Sequence, residues 1–219
     1  MQLSAAPGSM PGIETHSPEN GRPESSPRPI RLGLYGGTFD PIHHGHLILA
    51  RDAIERLELD QIIFLPARIS PHKLAQSSAP AELRRAMVAA AIADEPRFVL
   101  DACEMFREGP SFTIDSVEEI RSGHPEAALF YLIGADNLRE LHTWRRIDDL
   151  RQLAQFVVFG RGHESLSGGF DFPVLPRRLD ISATEIRERV ASGRSIQYLV
   201  PESVRSIIAS HHLYKEPSH

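Results

Sequence analysis

The sequence predicts an α/β protein built on a doubly wound, mainly parallel sheet with helices on both faces. Two observations carry that reading. Short apolar runs alternate with amphipathic stretches of helical period along most of the chain, and the runs are apolar throughout, as strands buried on both faces are. A third bears on function: two adjacent glycines follow the first run, at the carboxyl end of a strand, where such sheets bind ligands.

Met1 to Pro29 comes first, with Pro7, Pro11, Pro18, Pro23, Pro27 and Pro29 among Ser, Gly and Glu. With almost nothing to bury, residues 1–29 are expected to form a disordered extension, leaving 30–219 as a single domain. Ile30 to Tyr35 is short, mostly apolar and ended by glycine, which reads as the first strand. Leu47, Ile48, Ala50, Ile54 and Leu57 then recur at helical spacing, so a helix begins near His44. Gln61 to Leu65 is a second strand, followed by a helix over Ala81 to Ala93. Phe98 to Leu100 precedes a helix from Thr113 to Arg121, and Ala128 to Ile133 precedes a helical stretch running through Leu150. Phe156 to Phe159 is a further strand, and helices near Thr184 to Ser192 and Pro201 to Ser210 close the pattern.

Gly36-Gly37-Thr38-Phe39-Asp40-Pro41-Ile42-His43-His44-Gly45-His46 therefore lies on a strand-to-helix turn. The first N–H groups of a helix lack intrahelical partners and its dipole is positive there, so the turn favours an anion. Gly36 and Gly37, without Cβ atoms, let a bulky polyphosphate come close. His43 and His46 are three apart, share a helix face, and can point two imidazole N–H groups at one phosphate. A zinc pair at the same spacing is the poorer reading, because zinc wants three or four ligands and Cys103 is the only thiol.

Bulk composition narrows the class. With 219 residues and 41% hydrophobic content the chain can bury a full core. A net charge of -5 argues against a general nucleic-acid or anionic-membrane binder, so phosphate binding must be local. One cysteine, no run of 18 apolar residues and no apolar signal core in residues 1–29 give a cytoplasmic protein as the expectation. Its partners are then small molecules, with neither nucleic acid nor membrane among them and a homo-oligomer left open.

Other suggestive elements follow later strands. Ser70-Pro71-His72-Lys73 forms a cationic loop after the second; a solvated loop has the same composition. Gly109-Pro110-Ser111-Phe112-Thr113 opens a helix, with Thr113 its natural N-cap. Gly134-Ala135-Asp136 ends a strand with an acid able to bond ribose hydroxyls or to start a helix. Trp144, the only tryptophan, sits in a polar setting that suits a stacking platform as well as a core. In Ile181-Ser182-Ala183-Thr184-Glu185-Ile186-Arg187, Ser182 and Glu185 are spaced as a capping box. Capping does not require Thr184 or Arg187, whose hydroxyl and guanidinium at a helix start suit a triphosphate.

Together these segments resemble the nucleotidyltransferase superfamily marked by a [His/Thr]-x-Gly-His element and a late Ile-Ser-x-Thr-x-Ile-Arg element, and within it the bacterial nicotinate-nucleotide adenylyltransferases. The likeness spans about residues 30–215 and includes Ser195-Ile196-Gln197-Tyr198-Leu199-Val200-Pro201. It implies a Rossmann-like nucleotidyltransferase fold and a reaction of ATP with nicotinate mononucleotide giving nicotinate adenine dinucleotide and pyrophosphate, with Mg²⁺. It further implies catalytic roles for His43, His46, Lys73 and Arg187. Substrate contacts are implied for Gly36, Gly37, Thr38, Phe39, His72, Phe112, Thr113, Gly134, Asp136, Trp144, Ser182 and Thr184, with no protein metal ligand. By the same likeness Asp136 lies on the ribose side, while Thr113 and Trp144 surround the nicotinate ring.

Two departures stand out. Ala183 replaces a serine common in the late motif, and Arg161-Gly162-His163 stands where the family often shows Arg-Pro-Gly. Three rivals remain. A phosphopantetheine adenylyltransferase usually carries Thr for His43, a nicotinamide-nucleotide enzyme differs only in the ring substituent, and a nucleotide sensor would not need both histidines, Lys73 and Arg187.

Overall fold

The computed structural model describes residues 28–69, 78–160 and 172–215. Six strands form one sheet: β1 (Arg31–Gly37), β2 (Gln61–Pro66), β3 (Phe98–Leu100), β4 (Ala128–Gly134), β5 (Gln155–Gly160) and β6 (Val174–Pro176). Their order is β3-β2-β1-β4-β5-β6, and every neighbouring pair is parallel. The helices are α1 (His44–Arg56), α2 (Ala81–Ile92), α3 (Thr113–Gly123), α4 (Ile147–Leu153), α5 (Ala183–Ala191) and α6 (Glu202–Ser210). The order reverses between β1 and β4, and that reversal opens a crevice at the strands' carboxyl ends.

Alternation along the strands splits the core into two layers. Leu32 and Leu34 of β1 and Leu129, Tyr131 and Ile133 of β4 point to one face, where Ile114, Val117 and Ile120 of α3 and Leu150 of α4 cover them. Tyr35, Phe130 and Leu132 point to the other, packed under Ala50, Ala53 and Ile54 of α1, Met87 and Val88 of α2, Ile186 of α5 and Val204 and Ile208 of α6. A strand buried on both sides is apolar throughout, which is why the sequence shows runs rather than alternation.

Two segments depart from the sequence pattern. The helical stretch expected through Leu150 is a 3-10 segment, Ala135–Thr143, then a break at Trp144–Arg146, then α4. Arg146 lies in the left-handed region at φ 52°, which no continuous helix can contain. β6 is only three residues long and ends in proline, too short to announce itself by periodicity. No helix among the described residues is long and apolar enough to cross a membrane.

Candidate active site

A cleft of about 540 Å³ opens at the carboxyl ends of β1 and β4. Of the residues singled out from sequence, Gly36, Gly37, Thr38, Phe39, His46, Phe112, Thr113, Gly134, Trp144 and Arg187 lie on its wall. His43, Ser182 and Thr184 stand next to wall residues. Asp136 belongs by its backbone to the 3-10 segment after β4, but its side chain lies outside the described residues, as do His72 and Lys73.

The two histidines share a face as their spacing requires, their rings stacked with centroids 3.7 Å apart. The backbone N–H of His43 donates to His46 Nδ1 at 3.2 Å. An accepting Nδ1 fixes the tautomer of a neutral imidazole, so the proton sits on Nε2 as a donor. His43 is 6% exposed, and its Nδ1 is buried with no hydrogen-bond partner. Burial first, and the neighbouring His44 second, pull its pKa down from 6.5 to about 4, so His43 is a neutral packing surface rather than a cation. The glycine between them has a physical reason: a Cβ on Gly45 would stand 2.9 Å from His43 Nδ1.

Gly36 and Gly37 are the last two residues of β1 and work differently from the sequence expectation. The turn itself is made by Phe39, at φ 46°. A Cβ on Gly36 would run into the Tyr131 hydroxyl, and one on Gly37 would press 3.1 Å from the Phe39 ring. The room they leave is thus filled by the protein's own aromatic groups. Gly134 is the glycine of the cleft wall whose Cβ would meet nothing within 4 Å.

At the start of α5, Ser182 Oγ accepts from Glu185 N–H at 3.1 Å, half of the expected capping box, while the Glu185 carboxylate lies 3.4 Å from Arg189. Arg187 donates through Nη1 to the Asp40 carbonyl at 2.8 Å and through Nη2 to Thr184 Oγ1 at 3.3 Å. The late motif is therefore bonded directly to the early one across 147 positions.

Another part of the cleft wall is aromatic. Phe112, not Thr113, occupies the N-cap position of α3. Thr113 Oγ1 lies 3.5 Å from the Tyr131 hydroxyl, and Tyr131 meets Trp144 edge-on at 5.8 Å. The Arg145 guanidinium covers the Phe112 ring at 4.9 Å. Glu104, buried beside them, accepts from Ser116 Oγ at 2.8 Å, and burial pushes its carboxyl upward.

Sequence reasoning missed two wall residues that hold the site together. Arg84 is 2% exposed and donates to four carbonyls: Ala79 at 3.0 Å, Thr38 at 2.7 Å, Ala67 at 2.6 Å and Arg68 at 2.9 Å. Asp40, 6% exposed, accepts on Oδ1 from Ala79 N–H at 3.2 Å and from the Tyr214 hydroxyl at 2.7 Å. The signal for Arg84 is its place on the stripe of Met87, Val88 and Ile92, the buried face of α2.

A reversal-point cleft with paired imidazoles at one helix start and a guanidinium at another defines a nucleotidyltransferase, and the cytidylyltransferase-like family model matches residues 34–189. Proteins named probable nicotinate-nucleotide adenylyltransferase align closely. That of Geobacillus thermodenitrificans is 42% identical over 187 residues, 84% of this chain and 86% of its own length. One from Thermus thermophilus is 42% identical over 189 residues, 85% of this chain and all of its own. The chain belongs to the nicotinate-nucleotide adenylyltransferase family. Among solved structures, Plasmodium falciparum nicotinic acid mononucleotide adenylyltransferase complexed with NaAD superposes with a TM-score of 0.70 at 20% identity, over 84% of this chain and 97% of that one. At that identity the likeness speaks for the fold alone.

Proposed function

We propose that this protein transfers the adenylyl group of ATP to nicotinate mononucleotide, giving nicotinate adenine dinucleotide and pyrophosphate. The observation that carries it is one cleft, in a chain of this family, whose wall holds both imidazole and guanidinium groups and a cluster of aromatic side chains. A phosphate oxygen of the mononucleotide attacks the α-phosphorus, and the bond from that phosphorus to the α,β-bridging oxygen breaks. No protein nucleophile is needed, so the chain's work is positioning and charge stabilisation.

In this reading His46 Nε2–H faces the charge that develops on the phosphates, with His43 bracing its ring from behind. Arg187 and Thr184 hold the β- and γ-phosphates, Ser182 keeps the α5 terminus formed, and Lys73 and His72 add cationic donors. Thr38 and Phe39 shape the phosphate turn, beside Gly36 and Gly37. Phe112, Thr113 and Trp144 frame the nicotinate ring, while Gly134 and Asp136 serve the ribose side. Among the described residues no group of three or more His, Cys, Asp or Glu side chains gathers. Mg²⁺ would arrive on the triphosphate, since Mg²⁺ commonly rides on substrate phosphates. Residues 30–219 act as one domain, with residues 1–29 outside it. A cytoplasmic location accords with a single thiol.

Pyrophosphate release decides between the rivals. With ATP and Mg²⁺, turnover is expected to be highest with nicotinate mononucleotide, lower with nicotinamide mononucleotide and absent with phosphopantetheine. Activity with phosphopantetheine only would overturn the substrate, and none with any would favour a sensor.

A further inference from the structure

Asp40 is a junction. Its side chain meets Ala79, just ahead of α2, and Tyr214, near the end of the described chain, and its carbonyl meets α5. The bond to Tyr214 spans 174 positions and ties the C-terminal turn directly to the early motif. That turn is specifically shaped. His212 and Tyr214 both lie in the left-handed region, at φ 50° and 63°, which disfavours side chains of their size and persists only where contacts hold it. Leu213 between them is buried and donates its N–H to the Ile208 carbonyl at 3.0 Å. The Tyr214 hydroxyl thus reaches the β1–α1 turn.

We propose that Tyr214 is a positioning residue for the triphosphate end of the cleft: its hydroxyl holds the Asp40 carboxylate in place, and Asp40 in turn holds Arg187. The inference rests on the reading of Arg187 as a triphosphate ligand. Its physical content is a competition for charge. Asp40 is a buried carboxylate whose own backbone oxygen is already bonded to Arg187, and Arg84 bonds the Thr38 carbonyl two residues before it. Tyr214 and Ala79, both neutral donors, bond its Oδ1, and neither bond draws on a guanidinium. Without the hydroxyl it loses one of those donors, and Arg187 becomes the alternative partner, drawn from the phosphates it would otherwise meet. Burial and the bond to Asp40 both raise the phenol's pKa, so Tyr214 stays a donor across the working range.

Tyr214→Phe isolates the hydroxyl and keeps the ring. In steady-state assays of the full chain well below the melting temperature, KM for ATP should rise about tenfold, the typical order for a lost bond to a charged acceptor. KM for the mononucleotide should stay within about twofold, since Tyr214 bonds Asp40 and not the residues proposed to frame the nicotinate ring. Tyr214→Phe/Arg187→Ala should bind ATP no worse than Arg187→Ala. A lower melting temperature with both KM values unchanged would make the contact merely structural and overturn the proposal, as would a loss additive to that of Arg187→Ala. The two readings fail separately. If Arg187→Ala leaves kcat and KM for ATP at the wild-type level, the clamp is wrong. If Arg187→Ala is impaired and Tyr214→Phe is not, only the positioning role is lost.

Discussion

Two stacked imidazoles are given different work by where they stand. His46 reaches the cleft with its proton fixed on Nε2, whereas His43 is closed off behind it. In the proposed reading His46→Ala removes a transition-state donor, and with it the stacking on His43 and the edge contacts to Tyr35 and Phe39, so turnover should fall at least about a hundredfold at temperatures well below a modestly lowered melting point. Near-normal turnover in the purified variant would refute the role. His43 instead governs pH dependence of stability. Its folded pKa of about 4 lies below the 6.5 of the unfolded imidazole, so between those values the unfolded chain binds a proton that the folded chain refuses. Stability from this residue is complete above pH 6.5 and falls as pH drops toward 4, by about 3 kcal/mol in all. In urea unfolding at pH 7 and pH 4.5, His43→Asn should show a distinctly smaller loss on acidification than wild type.

Adjacent residues of α2 explain what the sequence could and could not disclose about its elements. Arg84 and Arg85 look alike in the chain, yet Arg85 pairs on the surface with Glu82 at 3.0 Å while Arg84 is buried and binds four carbonyls. Those carbonyls belong to the turn after β1, the end of β2 and the approach to α2, so one guanidinium fixes three chain segments around the cleft. Arg84→Met would fill the volume but leave those acceptors without it, at a cost of about 3 kcal/mol or more in urea unfolding. Arg85→Met should stay within about 0.5 kcal/mol. Strands and long helices were legible because burial on both faces writes a period into the chain. The residues that brace the site were not, because Arg84 and Asp40 answer to carbonyls and hydroxyls brought near by folding. The same holds for the 3-10 segment and its break at Arg146, where tertiary contacts overrule a helical pattern. Thr113 departs from its expected place as a cap for a related reason: its hydroxyl lies near Tyr131, from a different strand.

Strand order is what makes a single site out of distant motifs. Crossing from β1 to β4 at the sheet's centre leaves a crevice that α1 enters from one strand end, and the route through β5 and β6 brings α5 back against the same turn. Arg187 and Asp40 provide a direct bond between these halves. A triphosphate gripped by both would add to that tie, and any ligand bound only by the folded state stabilises it by mass action. At a hundred times its dissociation constant Mg·ATP contributes about 2.7 kcal/mol, which for a chain of this size raises the melting temperature by roughly 5 to 10 °C. The rise should shrink by more than half in Arg187→Ala, and also when excess EDTA strips Mg²⁺ from the nucleotide and leaves its charge uncompensated. A shift of full size in Arg187→Ala would mean that ATP is held by the β1–α1 turn alone. The late motif would then serve the fold and not the phosphates.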